Sequence, residues 1–219
     1  AGVAESEVER TKDGFEKHMQ VNFLSQFLLY LKLLPALENV VDDRKVPRVV
    51  LVSTVVHHLV TKHYKPQNDI NSFSASYNSL MSYLRSKVSQ IQLAKYLNRT
   101  KPEILFISVN PGTVFHSTFY DNWKALKSIG LIIKGFFSAF DATGVTNEEG
   151  SISTLRAVMD PNLTVEKDGG CFLGTGGSKG SISKIANSEE YQKELYEWST
   201  RVLEDKKLFL SEISSNVLI

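Results

Sequence analysis

A tyrosine and a lysine four residues apart are the strongest candidates for chemistry in this sequence. Tyr83 and Lys87 lie in a stretch with helical spacing, and residues i and i+4 share one face of a helix. A fixed ammonium beside a phenol favours the phenolate and lowers the pKa of the tyrosine, so that it can exchange a proton with a substrate. Taken alone, the pair is a weak signal, because the same spacing also occurs on solvated helix faces without function.

The elements that must position this pair alternate between helices and short buried strands. Apolar residues three or four apart predict four helices, over Lys12–Leu37, Ser76–Asn98, Thr146–Asp160 and Ser188–Lys206. Short apolar runs between turn residues predict three strands, over Arg48–Ser53, Ile104–Val109 and Gly170–Gly174, while residues 57–75 are predicted to form a loop. The alternation predicts an α/β fold in which three parallel strands, joined by right-handed crossovers, are flanked by helices.

Composition excludes several classes of protein. The 219 residues carry 25 Lys and Arg against 24 Asp and Glu, so no charge excess points to nucleic acid. The single cysteine, Cys171, excludes an intrachain disulfide framework and a multi-cysteine zinc site, and we expect no metal centre. A lone free thiol favours a reducing compartment. No apolar run reaches the ~18 residues of a membrane-spanning helix, and no signal peptide is visible.

Further polar residues stand in a fixed order around the Tyr83–Lys87 pair. Asn22 lies within the first predicted helix, Ser53-Thr54 ends the first strand, and Asn110-Pro111-Gly112 ends the second. With Ala1-Gly2 at the start of the chain, this set resembles the second half of a short-chain dehydrogenase/reductase. Two further stretches resemble its retinol-dehydrogenase-like branch, namely Thr11–Glu16 and His57-His58. Two others resemble fungal members of that branch, some of which are linked to lipid droplets, namely Gly144–Gly150 and Asp160–Asp168.

The resemblance implies a Rossmann-type, doubly wound parallel sheet of which this chain is the C-terminal portion. Members of the family open with a glycine-rich turn that binds the cofactor pyrophosphate, whereas this sequence begins at the Ala-Gly of a later motif. Residues 1–219 are therefore expected to be the catalytic part of a single dehydrogenase domain that lacks its nucleotide-binding half. The stretch Thr175–Ile182 looks like the glycine turn, but its last glycine is replaced and no further βαβ unit follows, so we expect no phosphate site there.

The resemblance also implies the roles of four catalytic residues. Tyr83 is the general acid or base, Lys87 lowers its pKa and binds the nicotinamide ribose, and Asn22 belongs to the proton relay. Thr54 stands where the family usually has serine and is the expected substrate-orienting hydroxyl. Ser53, on the opposite face of the strand, is the alternative.

The implied cofactor-binding residues overlap with the catalytic ones. His116 stands where many relatives have a threonine that binds the carboxamide, and the alternative for it is an ordinary surface histidine. The residues implied to bind the cofactor are Ala1, Gly2, Asn22, Tyr83, Lys87, Pro111, Gly112, Val114 and His116.

The function implied is that of a NAD(P)(H)-dependent oxidoreductase that interconverts a lipophilic alcohol with its aldehyde or ketone. Family analogy favours NADP over NAD, although the residue that selects between them is not in this sequence. The alternative is a non-catalytic relative that binds a lipid or a partner protein at a lipid droplet or endoplasmic reticulum surface. That alternative stays open because of Thr54 in place of serine, His116 in place of threonine and the lack of a glycine turn. In either case we expect a location on the cytoplasmic side of such a surface.

Three further expectations concern the substrate and assembly. The apolar stretch Ile129–Phe140 suits a lid over a lipid substrate or a contact with a membrane interface, or else a core helix. The loop from His58 to Met81 is expected to wall a cleft with Tyr64, Phe73 and Tyr77. Relatives often pair their equivalent helices across a two-fold axis, so we expect a homodimer, with a monomer as the alternative. The apolar residues expected there are Leu24, Leu28, Leu31, Ile91, Leu93 and Tyr96.

Overall fold

A computed structural model describes residues 2–7, 9–41, 45–66, 78–114 and 144–208 of the chain. The helices within these ranges are α1 (Lys17–Met19), α2 (Ser25–Val41), α3 (Ser79–Thr100), α4 (Asn147–Met159), α5 (Val165–Asp168), α6 (Lys184–Asn187) and α7 (Glu189–Asp205). The strands are β1 (Arg48–Val52), β2 (Leu105–Val109) and β3 (Phe172–Leu173). Five sequence predictions lie outside the described residues: Ala1, Phe73, Tyr77, His116 and the stretch Ile129–Phe140.

The three strands form one parallel sheet in the order β1-β2-β3, as the sequence predicted. Val50 pairs with Ile107 and Val52 with Val109, so β1 and β2 end at the same edge of the sheet. Every residue of β2 is buried, because layers of helices cover both faces of this central strand. That burial explains why β2 is continuously apolar apart from Ser108.

Two hydrophobic clusters lie on opposite faces of the sheet. The larger one places the side chains of α2, α3 and α7 against Phe106 and Phe172. The smaller one packs Ala157 of α4 and Leu163 against the alternate β2 residues and Leu173. Because successive side chains of a strand point to opposite faces, β2 contributes to both clusters. The described residues therefore form the three layers, helix on sheet on helix, that the sequence predicted.

The first predicted helix begins later than its apolar spacing suggests. Residues 11–16 form a turn and an isolated bridge, and Gly14 has a φ of +87° that a helix cannot accommodate. The helix starts at Lys17, where the Glu16 carboxylate accepts a hydrogen bond from the Met19 N–H. It passes through a π-helical turn over Gln20–Leu24 before α2 begins.

Other boundaries differ from the predictions in smaller ways. The second helix begins at Ser79 rather than Ser76, because the Asn78 side chain caps it by accepting from the Met81 N–H. The third strand keeps only Phe172 and Leu173. The predicted loop over residues 57–75 includes the end of a 3₁₀ turn over Val55–Leu59.

The apolar residues expected to form a dimer surface are mostly internal to the chain. Among them, Leu24, Leu31, Ile91 and Leu93 are buried within the larger cluster, while Leu28 and Tyr96 are partly buried against it. The sequence argument treated the helices as covered only by the sheet, but α7 packs across α3 and covers this apolar surface. The four buried residues therefore do not form a dimer surface, and assembly as a homodimer stays a prediction.

Arg48 of β1 caps the end of α4. Its Nη1 donates to the carbonyl of Ala157 at 3.0 Å, and its Nη2 donates to the carbonyl of Asp160 at 2.8 Å. The last carbonyls of a helix have no partner within it, so this cation satisfies two of them and lies favourably at the negative end of the helix.

Replacing this cation by an isosteric apolar side chain should destabilise the protein measurably. We expect Arg48→Met to lower the free energy of unfolding by about 2 kcal/mol, because hydrogen bonds from charged donors are worth roughly 1.5–3 kcal/mol. Urea unfolding of the natural protein measures the change. Arg99→Met is the matched control, since the Arg99 guanidinium is exposed and reaches only its own helix, at 3.4 Å from the Lys95 carbonyl. Equal losses in both variants would contradict the capping role.

Candidate active site

The candidate site lies where β1 and β2 end. Thr54 follows β1 after one intervening residue, and Asn110 follows β2 directly. Ligands of open parallel sheets bind at the carboxyl ends of the strands, in the crevice there. The helix α3 lies close to this edge of the sheet, where the Lys87 Nζ donates a hydrogen bond to the carbonyl of Val52 at 3.2 Å.

Tyr83 and Lys87 are brought together, as predicted. The Lys87 Nζ lies 5.9 Å from the centroid of the Tyr83 ring, and the two residues are only 3% and 5% exposed. Burial lowers the pKa of Lys87 from 10.5 to about 8. The ammonium is therefore still mostly protonated at neutral pH. A largely charged lysine thus lies beside a buried phenol, which is the arrangement that favours the phenolate.

Asn22 joins the start of the chain to α3. Its Oδ1 accepts from the Val3 N–H at 2.7 Å, and its Nδ2 donates to the Val3 carbonyl at 2.9 Å and to the Ser86 hydroxyl at 3.0 Å. The Ser86 hydroxyl in turn donates to the Tyr83 carbonyl at 2.6 Å. Asn22 lies in the π-helical turn, where its own carbonyl accepts from the side-chain amide of Gln90. This side chain therefore holds the N-terminal segment against the helix that carries Tyr83.

Gly2 lies at the point of closest approach between the N-terminal segment and α3. A Cβ at this position would lie 3.2 Å from the Asn22 Oδ1 and 3.3 Å from the Lys87 Nζ. Both separations are tighter than ordinary Cβ contacts, so a larger residue would displace the two side chains. Gly2, Asn22 and Lys87, three of the residues implied to bind the cofactor, therefore form one cluster.

The two hydroxyl residues after β1 have different environments. The Ser53 hydroxyl is buried and donates to the backbone carbonyl of Lys87 at 2.7 Å, which anchors α3 to the strand end. Thr54 begins the 3₁₀ turn, with its Oγ1 3.5 Å from the Val56 N–H. The Thr54 hydroxyl accepts only a long hydrogen bond there, whereas Ser53 has a structural partner.

His57 holds the backbone of Thr54 in place. Its Nδ1 donates to the Thr54 carbonyl at 2.7 Å, and its Nε2 accepts from the Ser183 N–H at 3.2 Å. The ring is fully buried, and burial lowers the pKa of His57 to about 4, so the imidazole is neutral at physiological pH. These contacts give His57 a structural role at the end of β1.

The loop after β2 is held by its own asparagine. The Asn110 Oδ1 accepts from the Gly112 N–H at 3.2 Å, and its Nδ2 donates to the Thr175 hydroxyl at 3.0 Å. Gly112 has a φ of +77°, and a Cβ there would lie 3.0 Å from the Thr175 Oγ1. Val114 continues this loop by pairing with Val145. The segment after β3 therefore supports the predicted Pro111–Val114 loop.

Sequence reasoning missed several residues that shape the site. Ser86 links Asn22 to Tyr83, and it could have been found because it lies three residues after the tyrosine on the same helix. Asn110 was noted only as a strand end, and Thr175 was considered only as part of a phosphate-binding turn. The buried pair Glu16 and His18 carried no signal, because its importance depends on residues distant in sequence.

Tyr64 does not line a cleft as predicted. Tyr64 is 7% exposed, and its hydroxyl lies against α3. That hydroxyl is 2.8 Å from the Ser89 hydroxyl, and it donates to the Arg85 carbonyl at 3.0 Å.

Among the described residues, no group of three His, Cys, Asp or Glu side chains could hold a metal ion. No helix in the described ranges is long and apolar enough to cross a membrane.

No family model matches the sequence, but comparison with known proteins finds relatives that are named as oxidoreductases and dehydrogenases. An uncharacterized oxidoreductase of Schizosaccharomyces pombe is 27% identical over 214 residues, which cover 94% of this chain and 60% of that protein. Dehydrogenase/reductase SDR family member 12 of Bos taurus is 28% identical, with 79% and 49% covered. Retinol dehydrogenase 11 of Mus musculus is 31% identical, with 74% and 47% covered. The chain thus spans about half the length of the curated relatives it matches.

Two solved structures share the fold. One is an uncharacterized protein of Mycobacterium paratuberculosis, with a TM-score of 0.62 at 22% identity over 93% of this chain and 65% of that one. The other is a NADPH-bound carbonyl reductase from chicken fatty liver, with a TM-score of 0.55 at 20% identity over 83% and 61%. The fold and the strand-end site thus define a Rossmann-type α/β protein. The relatives are named as oxidoreductases and dehydrogenases, one of them of the SDR family, and the chain is similar to them in sequence.

The buried charge of Lys87 should cost the protein stability. Because its pKa is about 8 in the folded state and 10.5 in the unfolded state, the unfolded chain binds more protons between these values. The free energy of unfolding should therefore rise with pH across that window. We expect Lys87→Met to stabilise the protein without cofactor by up to about 3 kcal/mol at pH 7, with the gain shrinking toward pH 10.5.

Denaturant unfolding between pH 7 and 10.5 measures the stability change. Lys32→Met serves as the control because Lys32 is an exposed lysine of α2. A stability gain in Lys87→Met that does not depend on pH would show that the charge is not its cause.

Proposed function

We propose that the protein is a nicotinamide-dependent oxidoreductase that interconverts a lipophilic alcohol with its aldehyde or ketone. The observation that carries the proposal is the buried cluster of Tyr83, Lys87 and Asn22, with Gly2 close against it, beside the carboxyl end of β1. A buried phenol next to a lysine has few structural uses, because burying the ammonium opposes folding. Similarity to proteins named as dehydrogenases and reductases supports the same conclusion.

The residues of the cluster fit the nicotinamide end of a dinucleotide. Within the described part of the chain, the buried Lys87 ammonium makes one hydrogen bond, to Val52, and so has donors left for ribose hydroxyls. The absence of a side chain at Gly2 leaves its backbone close to Lys87. We propose that Gly2, Asn22, Tyr83 and Lys87 bind that end, together with the loop Pro111–Val114. A nicotinamide cofactor, when bound, supplies or accepts a hydride at its ring.

Tyr83 moves the proton in this proposal. Its hydroxyl donates to the carbonyl oxygen during reduction and accepts from the alcohol during oxidation. The Lys87 charge stabilises the phenolate form, which brings the pKa of the phenol toward neutrality. Asn22 supports the proton relay by holding the backbone of Val3 and the hydroxyl of Ser86 in place.

Thr54 orients the substrate oxygen in this proposal. Among the described residues, its hydroxyl accepts one hydrogen bond, from the Val56 N–H, and so retains a donor. Ser53 is unsuited to this role, since its hydroxyl already donates to the Lys87 carbonyl. The neutral ring of His57 keeps the Thr54 backbone fixed.

The finer parts of the proposal rest on relatives and on family analogy. The relative named retinol dehydrogenase 11 supports a lipophilic substrate. The preference for NADP over NAD, a location at a lipid droplet or endoplasmic reticulum surface, and assembly as a homodimer stay predictions. A non-catalytic lipid- or partner-binding role is the result that a failed activity test would favour.

Removing the phenolic hydroxyl should abolish most of the turnover. We expect Tyr83→Phe in the natural protein to keep its fold and to lower kcat by ~10²-fold or more, because general acid catalysis contributes ~10²–10⁴-fold. Turnover of retinal and shorter aldehydes with NADPH and NADH measures the effect. The control is Tyr191→Phe, since Tyr191 lies on α7 and stacks on His63 rather than facing Lys87. Normal turnover by Tyr83→Phe would exclude Tyr83 as the acid.

Substitutions of the two hydroxyl residues after β1 should affect different properties, catalysis at Thr54 and stability at Ser53. We expect Thr54→Ala to lower kcat strongly with little change in the melting temperature, and Thr54→Ser to retain activity. Ser53→Ala should instead lower the melting temperature, because it leaves the buried Lys87 carbonyl without its 2.7 Å partner. Activity assays and thermal unfolding of the three variants are the measurements. If Ser53→Ala stops turnover while Thr54→Ala is silent, Ser53 is the orienting residue.

A further inference from the structure

A buried glutamate and histidine lie beside Tyr83 without a role in the proposed reaction. The Glu16 Oε1 is 2.7 Å from the His18 Nδ1, and both side chains are 1% exposed. The other carboxylate oxygen, Oε2, accepts from the Met19 N–H at 2.8 Å. An ionised carboxylate is costly to bury unless it is hydrogen-bonded, so a pair of this kind is retained only where its contacts are needed.

The hydrogen bonds determine where the proton of His18 lies. The backbone N–H of Glu5 is 2.8 Å from the His18 Nε2, and a backbone N–H can only donate. Nε2 is therefore the acceptor, and the ring proton is on Nδ1, where it is donated to Glu16. The pair is a neutral imidazole bonded to a carboxylate, with each ring nitrogen bonded to a different part of the chain.

His18 contacts two parts of the candidate site, the ring of Tyr83 and the N-terminal segment. The His18 ring meets the Tyr83 ring edge to face, with 6.0 Å between centroids and 72° between planes. Through Glu5, His18 also holds the N-terminal segment, which is further held by Val3 on Asn22, by the Glu5 carbonyl on Ser79 and by the Glu5 carboxylate, 2.8 Å from the Lys17 Nζ. That segment carries Gly2 against Lys87.

We propose that the Glu16–His18 pair is a positioning device for the reaction. It sets the orientation of the Tyr83 ring and the distance of the Gly2–Glu5 segment from Lys87, and this inference rests on the function proposed above. Glu16 acts only through His18, by holding the imidazole in its Nδ1–H tautomer and in one ring orientation. Neither residue exchanges a proton with the substrate.

Two substitutions separate the two contacts of His18. In His18→Gln, the side-chain oxygen reaches the position of Nε2 and keeps the hydrogen bond from the Glu5 N–H. In His18→Asn, the shorter amide reaches only the position of Nδ1 and keeps only the hydrogen bond to Glu16. Both remove the ring from Tyr83. We therefore expect both to lower kcat by ~10-fold, less than the ~10²-fold that a misplacement of about 1 Å costs. Only His18→Asn should weaken NADPH binding, with Kd raised by ~10-fold.

The measurements are kcat, the pH profile of kcat and the Kd for NADPH from its fluorescence in the natural protein, with NADH titrated in parallel. The matched control is His63→Asn, whose shorter side chain does not reach the Nε2 position and so breaks a second His–Glu pair, with 3.0 Å between the His63 Nε2 and Glu194 Oε2, at 27% and 34% exposure. It should change neither kcat nor Kd. Thermal unfolding of each variant shows whether an activity loss merely follows a loss of folded protein.

The outcomes distinguish this inference from the proposed function. If Tyr83→Phe loses turnover while both His18 variants keep kcat, pH profile and Kd within twofold, the positioning role is wrong and the oxidoreductase stands. If Tyr83→Phe keeps turnover, the proposed function itself is wrong. Nitrogen-15 NMR of the unmodified protein at pH 7 tests the geometry even if the variants fail to fold. An Nδ1–H tautomer of His18 is expected, and an Nε2–H tautomer or an imidazolium would overturn the proposal.

Discussion

The site depends on two hydrogen bonds that tie Lys87 to the end of β1. The ammonium donates to the Val52 carbonyl at 3.2 Å, and the backbone carbonyl of the same residue accepts from the Ser53 hydroxyl at 2.7 Å. Both ends of one residue are thus bound to consecutive residues of a strand. Because a helix is rigid, this double attachment also sets the position of Tyr83, one turn earlier on α3. The burial that lowers the pKa of Lys87 to about 8 is a consequence of the same attachment.

A second set of contacts brings the start of the chain to this helix. Asn22 lies in a π-helical turn and binds Val3 and Ser86, while His18 binds the backbone of Glu5. Turns of this type are frequent at functional sites, since the extra residue redirects a side chain or a carbonyl without ending the helix. Here the turn lets one amide bridge a segment without regular structure and the helix that carries the tyrosine. The N-terminal segment is held by side chains rather than by a strand.

The architecture of the sheet was predictable because its signals are local. Alternation of apolar periodicities indicated three parallel strands and the flanking helices, and the described residues have that order. The boundaries were less predictable, since they depend on single capping residues such as Glu16 and Asn78. The assignment of Leu24, Leu31, Ile91 and Leu93 to an exposed surface was wrong, because periodicity shows that a helix face is covered but not which part of the chain covers it. Packing of α7 on α3 made that face internal.

The sequence by itself determined the chemistry-bearing residues whose spacing is local or whose order follows the strands. The Tyr83–Lys87 pair follows from one turn of helix, and the places of Thr54 and Asn110 follow from the ends of β1 and β2. Only the tertiary structure decided that Ser53 is an anchor, that Tyr64 is internal, and that His18, bonded to Glu16, lies against the tyrosine. The physical reason is that hydrogen bonds between residues distant in sequence leave no periodic pattern. Their partners become neighbours only when the helices pack on the sheet.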